Sequence, residues 1–157
     1  MIRVVFVCTA NRCRSMMAEG IMRARWAREA GRGLSVSSMG VHGIDGMPPT
    51  DDAIRVCAEN GIDIAAQRSR PLVPDELRHA DLILVMEPFH KNFIATFHPE
   101  AAGQTFLLGA WPEKAAPKKA VVEDPVGGSM RLYRKVFAAI SGHIDRIIPQ
   151  LRNEYGI

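Results

Sequence analysis

The sequence predicts an α/β fold in which a parallel sheet is covered by helices on both faces. Three observations predict it. Short apolar runs rich in β-branched residues recur along the 157 residues. Amphipathic stretches at helical spacing separate them. Capping and turn residues fall at the junctions. Strands that alternate with helices in this way pair in parallel and need right-handed crossovers.

The first strand is the run over residues 2–7. A helix follows over residues 15–30, with Met17, Ala18, Ile21, Met22 and Trp26 on one stripe and Gly31 as its stop. Residues 34–39 form a second, weaker strand. Thr50 and Asp51 cap a helix that ends at Asn60-Gly61. Residues 81–86 form the third strand, Pro88 opens the next helix, and residues 104–108 form the fourth strand. Residues 110–125, with Pro112, Pro117 and Pro125, predict a long surface loop of a kind that is often functional. From Ser129 onward, Tyr133, Val136, Phe137, Ile140, Ile144, Ile147, Ile148 and Leu151 form the apolar stripe of a long helix that docks on the sheet. No repeat or linker divides the chain, so residues 1–157 read as one domain.

Composition narrows the function classes. An apolar content of 47% and a charged content of 24% are those of a soluble globular protein. No apolar run approaches the ~18 residues that span a bilayer. Met1 leads straight into a strand pattern, so a cytoplasmic protein without a membrane partner is expected. The formal charge is +3, with a mild basic excess at Arg23, Arg25, Arg28 and Arg32 that fits a solvated helix face. Aromatics are only 6%, and no basic patch is interleaved with them, so no nucleic-acid partner is expected. Three cysteines match neither a disulfide framework nor a zinc site, and Cys57 fits a small core residue. His42, His79, His90, His98 and His143 lack metal spacing and predict surface or capping roles, so neither metal nor cofactor is expected. Trp26 predicts core packing; Trp111 predicts either core packing or a pocket wall.

The chemistry concentrates in Cys8-Thr9-Ala10-Asn11-Arg12-Cys13-Arg14-Ser15. This stretch leaves the first strand at its carboxyl end, where such sheets bind ligands. A helix N-terminus and a nearby arginine favour a thiolate at Cys8. The backbone N–H groups of Thr9, Ala10, Asn11, Arg12 and Cys13 can turn inward to cradle an anion. Arg14 adds a planar fork for two phosphate oxygens. The Ser15 hydroxyl can donate to the thiolate and improve it as a leaving group. Asn11 tolerates a positive φ or braces the loop with its amide. Phosphoryl transfer to a thiolate also needs a proton for the departing group. Asp124, on the loop before the last helix, is the candidate, with Glu123 beside it as the fallback. The competing reading of Asp124 is a helix cap before Pro125.

These residues resemble the low-molecular-weight protein tyrosine phosphatases. Cys8, Asn11, Cys13, Arg14 and Ser15 stand in register with that family's loop, and Asp124-Pro125 matches its late Asp-Pro. Ser38, in Ser38-Met39-Gly40, resembles the serine that hydrogen-bonds the loop. Gly61-Ile62-Asp63 and Ser69-Arg70-Pro71-Leu72 fit its middle segment. The resemblance covers residues 4–151. It implies a four-stranded parallel sheet in a flavodoxin-like three-layer sandwich, and a two-step mechanism without metal. Cys8 attacks phosphorus, Asp124 protonates the leaving group, and water hydrolyses the phosphocysteine with Asp124 as base. It implies that Cys13 forms a reversible disulfide with Cys8 under oxidation. It implies phosphorylated protein substrates and a phosphate or similar oxyanion in the loop. A monomer is expected.

The chain departs from the family pattern at three places. Ala10 replaces a glycine, which costs roughly 1 kcal/mol if the position needs a positive φ. Met16 replaces a proline. Gln67 stands where many members carry a histidine that braces the asparagine. In the family, residue 12 and the residues after Asp-Pro line the pocket. Here Val126-Gly127-Gly128-Ser129 resembles the protein-arginine phosphatase branch, whereas Arg12 does not match that branch's threonine and suits an anionic peptide. Phosphotyrosine is the expected substrate and phosphoarginine the alternative. A thioredoxin-coupled arsenate reductase shares the loop but needs two late cysteines, and only Cys57 lies beyond it. A non-catalytic phosphate-binding redox sensor has no need of Cys8, Arg14 and Asp124 together.

Overall fold

The structure is a computed structural model that describes residues 1–29, 33–114 and 117–157. Four strands, β1 (Ile2–Cys8), β2 (Leu34–Gly40), β3 (Leu82–Val85) and β4 (Thr105–Leu107), lie in the order β2-β1-β3-β4. Every pairing is parallel. This is the flavodoxin-like order, with the switch point between β1 and β3, and the expected fold class is the one observed.

Among the described residues five helices flank the sheet: α1 (Arg14–Arg28), α2 (Asp51–Glu59), α3 (Pro74–His79), α4 (Pro88–Phe97) and α5 (Met130–Tyr155). Side chains alternate along a strand, so β1 feeds two cores. Val4, Phe6 and Cys8 join the cluster shared with α1 and α5. Val5 and Val7 join the one shared with Leu77 of α3 and Ile94 of α4. All eight residues of the predicted α5 stripe are buried. Each contributes about 1.5–3 kcal/mol of apolar burial, so tertiary packing holds the longest helix in place.

The caps explain the boundaries. Thr50 Oγ1 accepts from the Ala53 N–H at 3.3 Å to start α2, and Gly61, at φ 73°, turns the chain after it. Ser129 Oγ accepts from the Leu132 N–H at 3.2 Å to start α5. Arg23 and Arg28 are exposed on α1, while Arg25 reaches Asp145 of α5 at 2.9 Å. Ala30, Gly31 and Arg32, at the predicted end of that helix, lie outside the described residues. Trp26, Cys57 and Trp111 are all buried in the α1/α5 cluster, so Trp111 is core packing and not a pocket wall.

Two expectations need correction. The segment 110–125 does not lie wholly on the surface. Ala110, Trp111, Ala120 and Val122 are buried, and the Val122 N–H donates to the Met86 carbonyl at 3.0 Å, which draws the returning chain against the end of β3. Apolar residues spaced between the prolines are what pull it inward; residues 115 and 116 lie outside the described residues. The sequence pattern also misses α3 and short 3₁₀ turns at Pro99–Gln104 and Lys118–Ala120. Elements this short do not establish a period. Among the described residues, no helix is long and apolar enough to cross a membrane.

Candidate active site

Cys8 is the last residue of β1 and pairs in register with Gly40, the last residue of β2. The chain then loops over residues 9–13 and enters α1 at Arg14. The start of α1 has no side-chain cap and no acidic residue in its first turn, so its N–H groups and positive dipole end are free for an anion. The loop packs directly on β2. A Cβ at Gly40 would stand 2.6 Å from the Thr9 carbonyl oxygen and 2.8 Å from the Asn11 nitrogen. Gly40→Ala is expected to cost about 1–3 kcal/mol and to displace the loop. A lowered thermal midpoint together with reduced turnover checks it.

Asn11 holds the loop closed from inside. It is fully buried at φ 55°, the left-handed region that asparagine tolerates. Its Oδ1 accepts from the Arg70 backbone N–H at 3.0 Å, which fixes the amide orientation. Its Nδ2 therefore donates to Ser15 Oγ at 2.8 Å and to Ser38 Oγ at 2.9 Å. Each hydroxyl, having accepted, is free to donate onward. Ser38 donates to Glu19 Oε2 at 2.6 Å, and the Ser15 hydroxyl lies 3.0 Å from Cys8 Sγ with its proton available to the sulfur. Ser38 thus links the Asn11 amide to the Glu19 carboxylate. Among the described residues Gln67 makes no hydrogen bond with Asn11, whose amide oxygen accepts from the Arg70 main chain instead. Ala10 does not adopt a positive φ, so the conditional strain at this position does not arise.

Arg14 is held by partners that are distant in sequence. Its guanidinium is buried, and Nη1 donates to Glu87 Oε2 at 2.7 Å and to the Val122 carbonyl at 2.9 Å. The Nε and Nη2 edge carries no hydrogen bond among the described residues. That edge is the one able to grip two oxygens of a tetrahedral anion. Glu87 is also the N-cap of α4 and forms a capping box with His90. The Glu87 N–H donates to His90 Nδ1 at 3.1 Å, and His90 Nε2 lies 2.9 Å from Thr9 Oγ1. His90 is completely buried, which corrects its surface alternative and keeps its capping one. Burial, reinforced by the Arg14 charge, pushes its imidazolium down to about 3. The depressed value means that stability is lost as pH falls below the ordinary histidine range toward about 3.

Asp124 Oδ2 is 3.8 Å from Arg14 Nη2, and its side chain is half-exposed at the mouth. Its Oδ1 accepts from the Val126 N–H at 3.0 Å, which fixes the carboxylate without making it a helix cap; Ser129 caps α5. Glu123 instead pairs with Lys135 Nζ at 3.3 Å. Arg12 Nε donates to the Pro48 carbonyl at 2.8 Å, so its cation leans on the loop before α2. Cys13 is a buried free thiol. Burial pushes it far up, and the neighbouring Cys8 and Asp124 charges act in the same direction. Among the described residues, no group of three or more His, Cys, Asp or Glu side chains is placed to hold a metal ion.

Sequence reasoning missed Glu87, His90 as a loop contact, and Arg70. A Glu-Pro-x-His helix start reads as an ordinary cap, and nothing local ties it to residues 9 and 14. Arg70 carried a faint signal, within the middle segment the resemblance noted.

The model of the low molecular weight phosphotyrosine protein phosphatase family matches residues 3–155. A probable low molecular weight protein-tyrosine-phosphatase, EpsP, of Ralstonia solanacearum is 33% identical over 149 residues, covering 95% of each chain. A protein-arginine-phosphatase of Geobacillus stearothermophilus is 33% identical over 152 residues, covering 97% of each. The crystal structure of a low molecular weight protein tyrosine phosphatase from T. tengcongensis superposes with a TM-score of 0.87 at 36% identity, covering 96% of this chain and 99% of that one.

Proposed function

The chain belongs to the low molecular weight phosphotyrosine protein phosphatase family, and on that premise we propose that it hydrolyses phosphotyrosine in proteins through a phosphocysteine. The observation that carries this reading is the open Nε and Nη2 edge of Arg14, pinned by Glu87 at one end of the loop whose other end is Cys8. Cys8 attacks phosphorus as a thiolate and the P–O bond to the leaving group breaks. Arg14 and the loop N–H groups of Thr9 to Cys13 follow the three equatorial oxygens into the transition state. Asp124 gives its proton to the departing oxygen. In the second step Asp124 takes a proton from water, the water oxygen bonds to phosphorus, and the thiolate leaves with the Ser15 hydroxyl donating to it.

Asp124→Ala is expected to slow substrates with poor leaving groups by about 10²–10⁴-fold. Aryl phosphates whose phenols ionise easily should lose far less. Steady-state rates across a series of substituted phenyl phosphates check this; an equal loss for all of them removes the acid role.

Phosphotyrosine is favoured over phosphoarginine by Arg12, a long cation beside the mouth that suits an acidic peptide. The Gly127-Gly128-Ser129 likeness to the arginine-directed branch has a backbone explanation. Gly127 has φ 82°, a Cβ on Gly128 would meet Leu132 Cδ2 at 2.6 Å, and Ser129 caps α5. Phosphate release from matched phosphotyrosine and phosphoarginine peptides decides between them. Cys13, a free thiol buried five residues after Cys8, is the partner for a reversible disulfide when a peroxide-class oxidant removes two electrons. The proposed working form is a monomer in the reducing cytoplasm.

A further inference from the structure

We propose that His90 is a positioning residue that turns the Thr9 hydroxyl into a hydrogen-bond donor for the phosphoryl oxygens held over Cys8. The proposal rests on the phosphatase reading and adds a side-chain donor to the backbone cradle.

The two nitrogens of His90 have opposite duties. The Glu87 N–H points at Nδ1, at 3.1 Å, so Nδ1 must accept. A neutral imidazole then carries its proton on Nε2. Nε2 is 2.9 Å from Thr9 Oγ1, so the ring donates and the Thr9 oxygen accepts. Glu87 Oε2 is 3.9 Å from Nε2, beyond hydrogen-bonding distance. A protonated ring would lose the Nδ1 acceptor and break the cap; burial and the Arg14 charge keep the ring neutral.

The tautomer decides what Thr9 can do. A threonine hydroxyl that accepts from His90 keeps its single proton to give away. The neighbouring carbonyls accept from the main chain of β2's exit and not from this hydroxyl: the Cys8 carbonyl from the Val41 N–H at 3.0 Å and the Thr9 carbonyl from the His42 N–H at 2.8 Å. Among the described residues the hydroxyl makes no other hydrogen bond. Thr9 is half-buried, directly after Cys8, in the loop that surrounds the anion. An oxyanion seated there is the acceptor left for that proton.

The same capping box serves the far end of the loop. Glu87 anchors Arg14 while His90 orients Thr9. The first turn of α4 thereby sets a donor at each end of the loop that follows the nucleophile, Thr9 at its start and Arg14 at its close.

A double-mutant cycle in the full chain tests this. Thr9→Val removes the hydroxyl at nearly constant shape. His90→Asn keeps an acceptor near Nδ1 for the Glu87 N–H and loses the reach to Thr9. His90→Gln restores an amide donor near the Nε2 position. The readouts are kcat and KM for p-nitrophenyl phosphate, the affinity for orthovanadate, and the thermal midpoint. Thr9→Val and His90→Asn are each expected to lower kcat and vanadate affinity about 10-fold or more, the scale of one hydrogen bond to a charged group. The double variant should lose no more than the worse single one, and His90→Gln should recover most of the loss. Losses that add in the double variant overturn the proposal. So does a His90→Asn protein with wild-type kcat and vanadate affinity, or a decline that only tracks the thermal midpoint. Absence of aryl phosphate turnover in the unmodified chain would overturn the phosphatase reading; the vanadate cycle would then decide the Thr9–His90 coupling by itself.

Discussion

Cys8→Ser folds, binds phosphate and loses turnover by on the order of 10⁵–10⁶-fold, the scale of deleting a nucleophile in other covalent enzymes. Folding survives because the replacement is slightly smaller and Cys8 sits where a hydroxyl has partners. The side chain is buried but faces the Ser15 hydroxyl 3.0 Å away. Serine oxygen can exchange hydrogen bonds with Ser15 as sulfur does. Binding survives because, on the proposed function, the loop N–H groups and Arg14 hold the anion and the sulfur does not. Chemistry fails twice over. A serine hydroxyl is not ionised near neutral pH, so the attack has no ready nucleophile. An alkoxide is also a poor leaving group in the hydrolytic step, where Ser15 can support a thiolate. Single-turnover assays with vanadate or phosphate titration separate the outcomes. Turnover within tenfold of the parent chain means that Cys8 is not the nucleophile, and loss of anion binding means that the substitution reached the loop itself.

Arg14→Ala is expected to lower turnover by about 10³-fold and to weaken vanadate binding in parallel. The guanidinium does two jobs at once. Nη1 is committed to Glu87 and the Val122 carbonyl, which fixes the plane of the group. The remaining edge then meets the anion without reorganising, and this is where rigid electrostatic stabilisation has its largest effect. Removing the group also strands its partners. The Val122 carbonyl loses a donor, and Glu87, about one-third exposed, loses its cation. A stability loss of about 1–3 kcal/mol follows, below that of a fully buried pair because water reaches Glu87. Arg14→Lys should rescue stability better than rate. A lysine can pair with Glu87 but cannot present two parallel donors to the phosphoryl oxygens at the same time. Equal rates for the lysine variant and the parent chain would show that charge alone suffices.

The parts of this site that were readable in the sequence are those the chain writes contiguously. Cys8, Asn11, Arg14 and Ser15 lie within one turn of loop and helix onset, so spacing carries their geometry. The α5 stripe was readable for the same reason, since period is a local property, whereas the flavodoxin-like topology came only with the family resemblance. Asp124 was nominated by chemical need and by its Asp-Pro context, but spacing carried no geometry for it, because its approach to Arg14 depends on Val122 docking against Met86. Glu87 and His90 were silent, and Arg70 nearly so. They reach the loop from two crossovers, Arg70 from the one before β3 and Glu87 and His90 from the start of α4, and a residue type that caps a helix looks identical whether or not its far side touches a reactive loop. Gln67 shows the converse: the histidine that braces the asparagine in many members is missing, yet the Arg70 main chain hydrogen-bonds that amide. The Gly-Gly-Ser segment likewise encodes a turn, a close approach and a cap before it encodes any preference for substrate.

Gly40 stands behind Thr9, Ala10 and Asn11 with no space for even one methyl group. The rear of the loop over residues 9–13 is therefore polypeptide pressed on polypeptide, a surface on which side-chain replacement has nothing to vary. Diversification of this scaffold must proceed from the opposite quarter, where Arg12 and Val126 border solvent. Directed evolution toward new phosphoesters should therefore gather its accepted changes on that outer lip and leave the inner wall untouched.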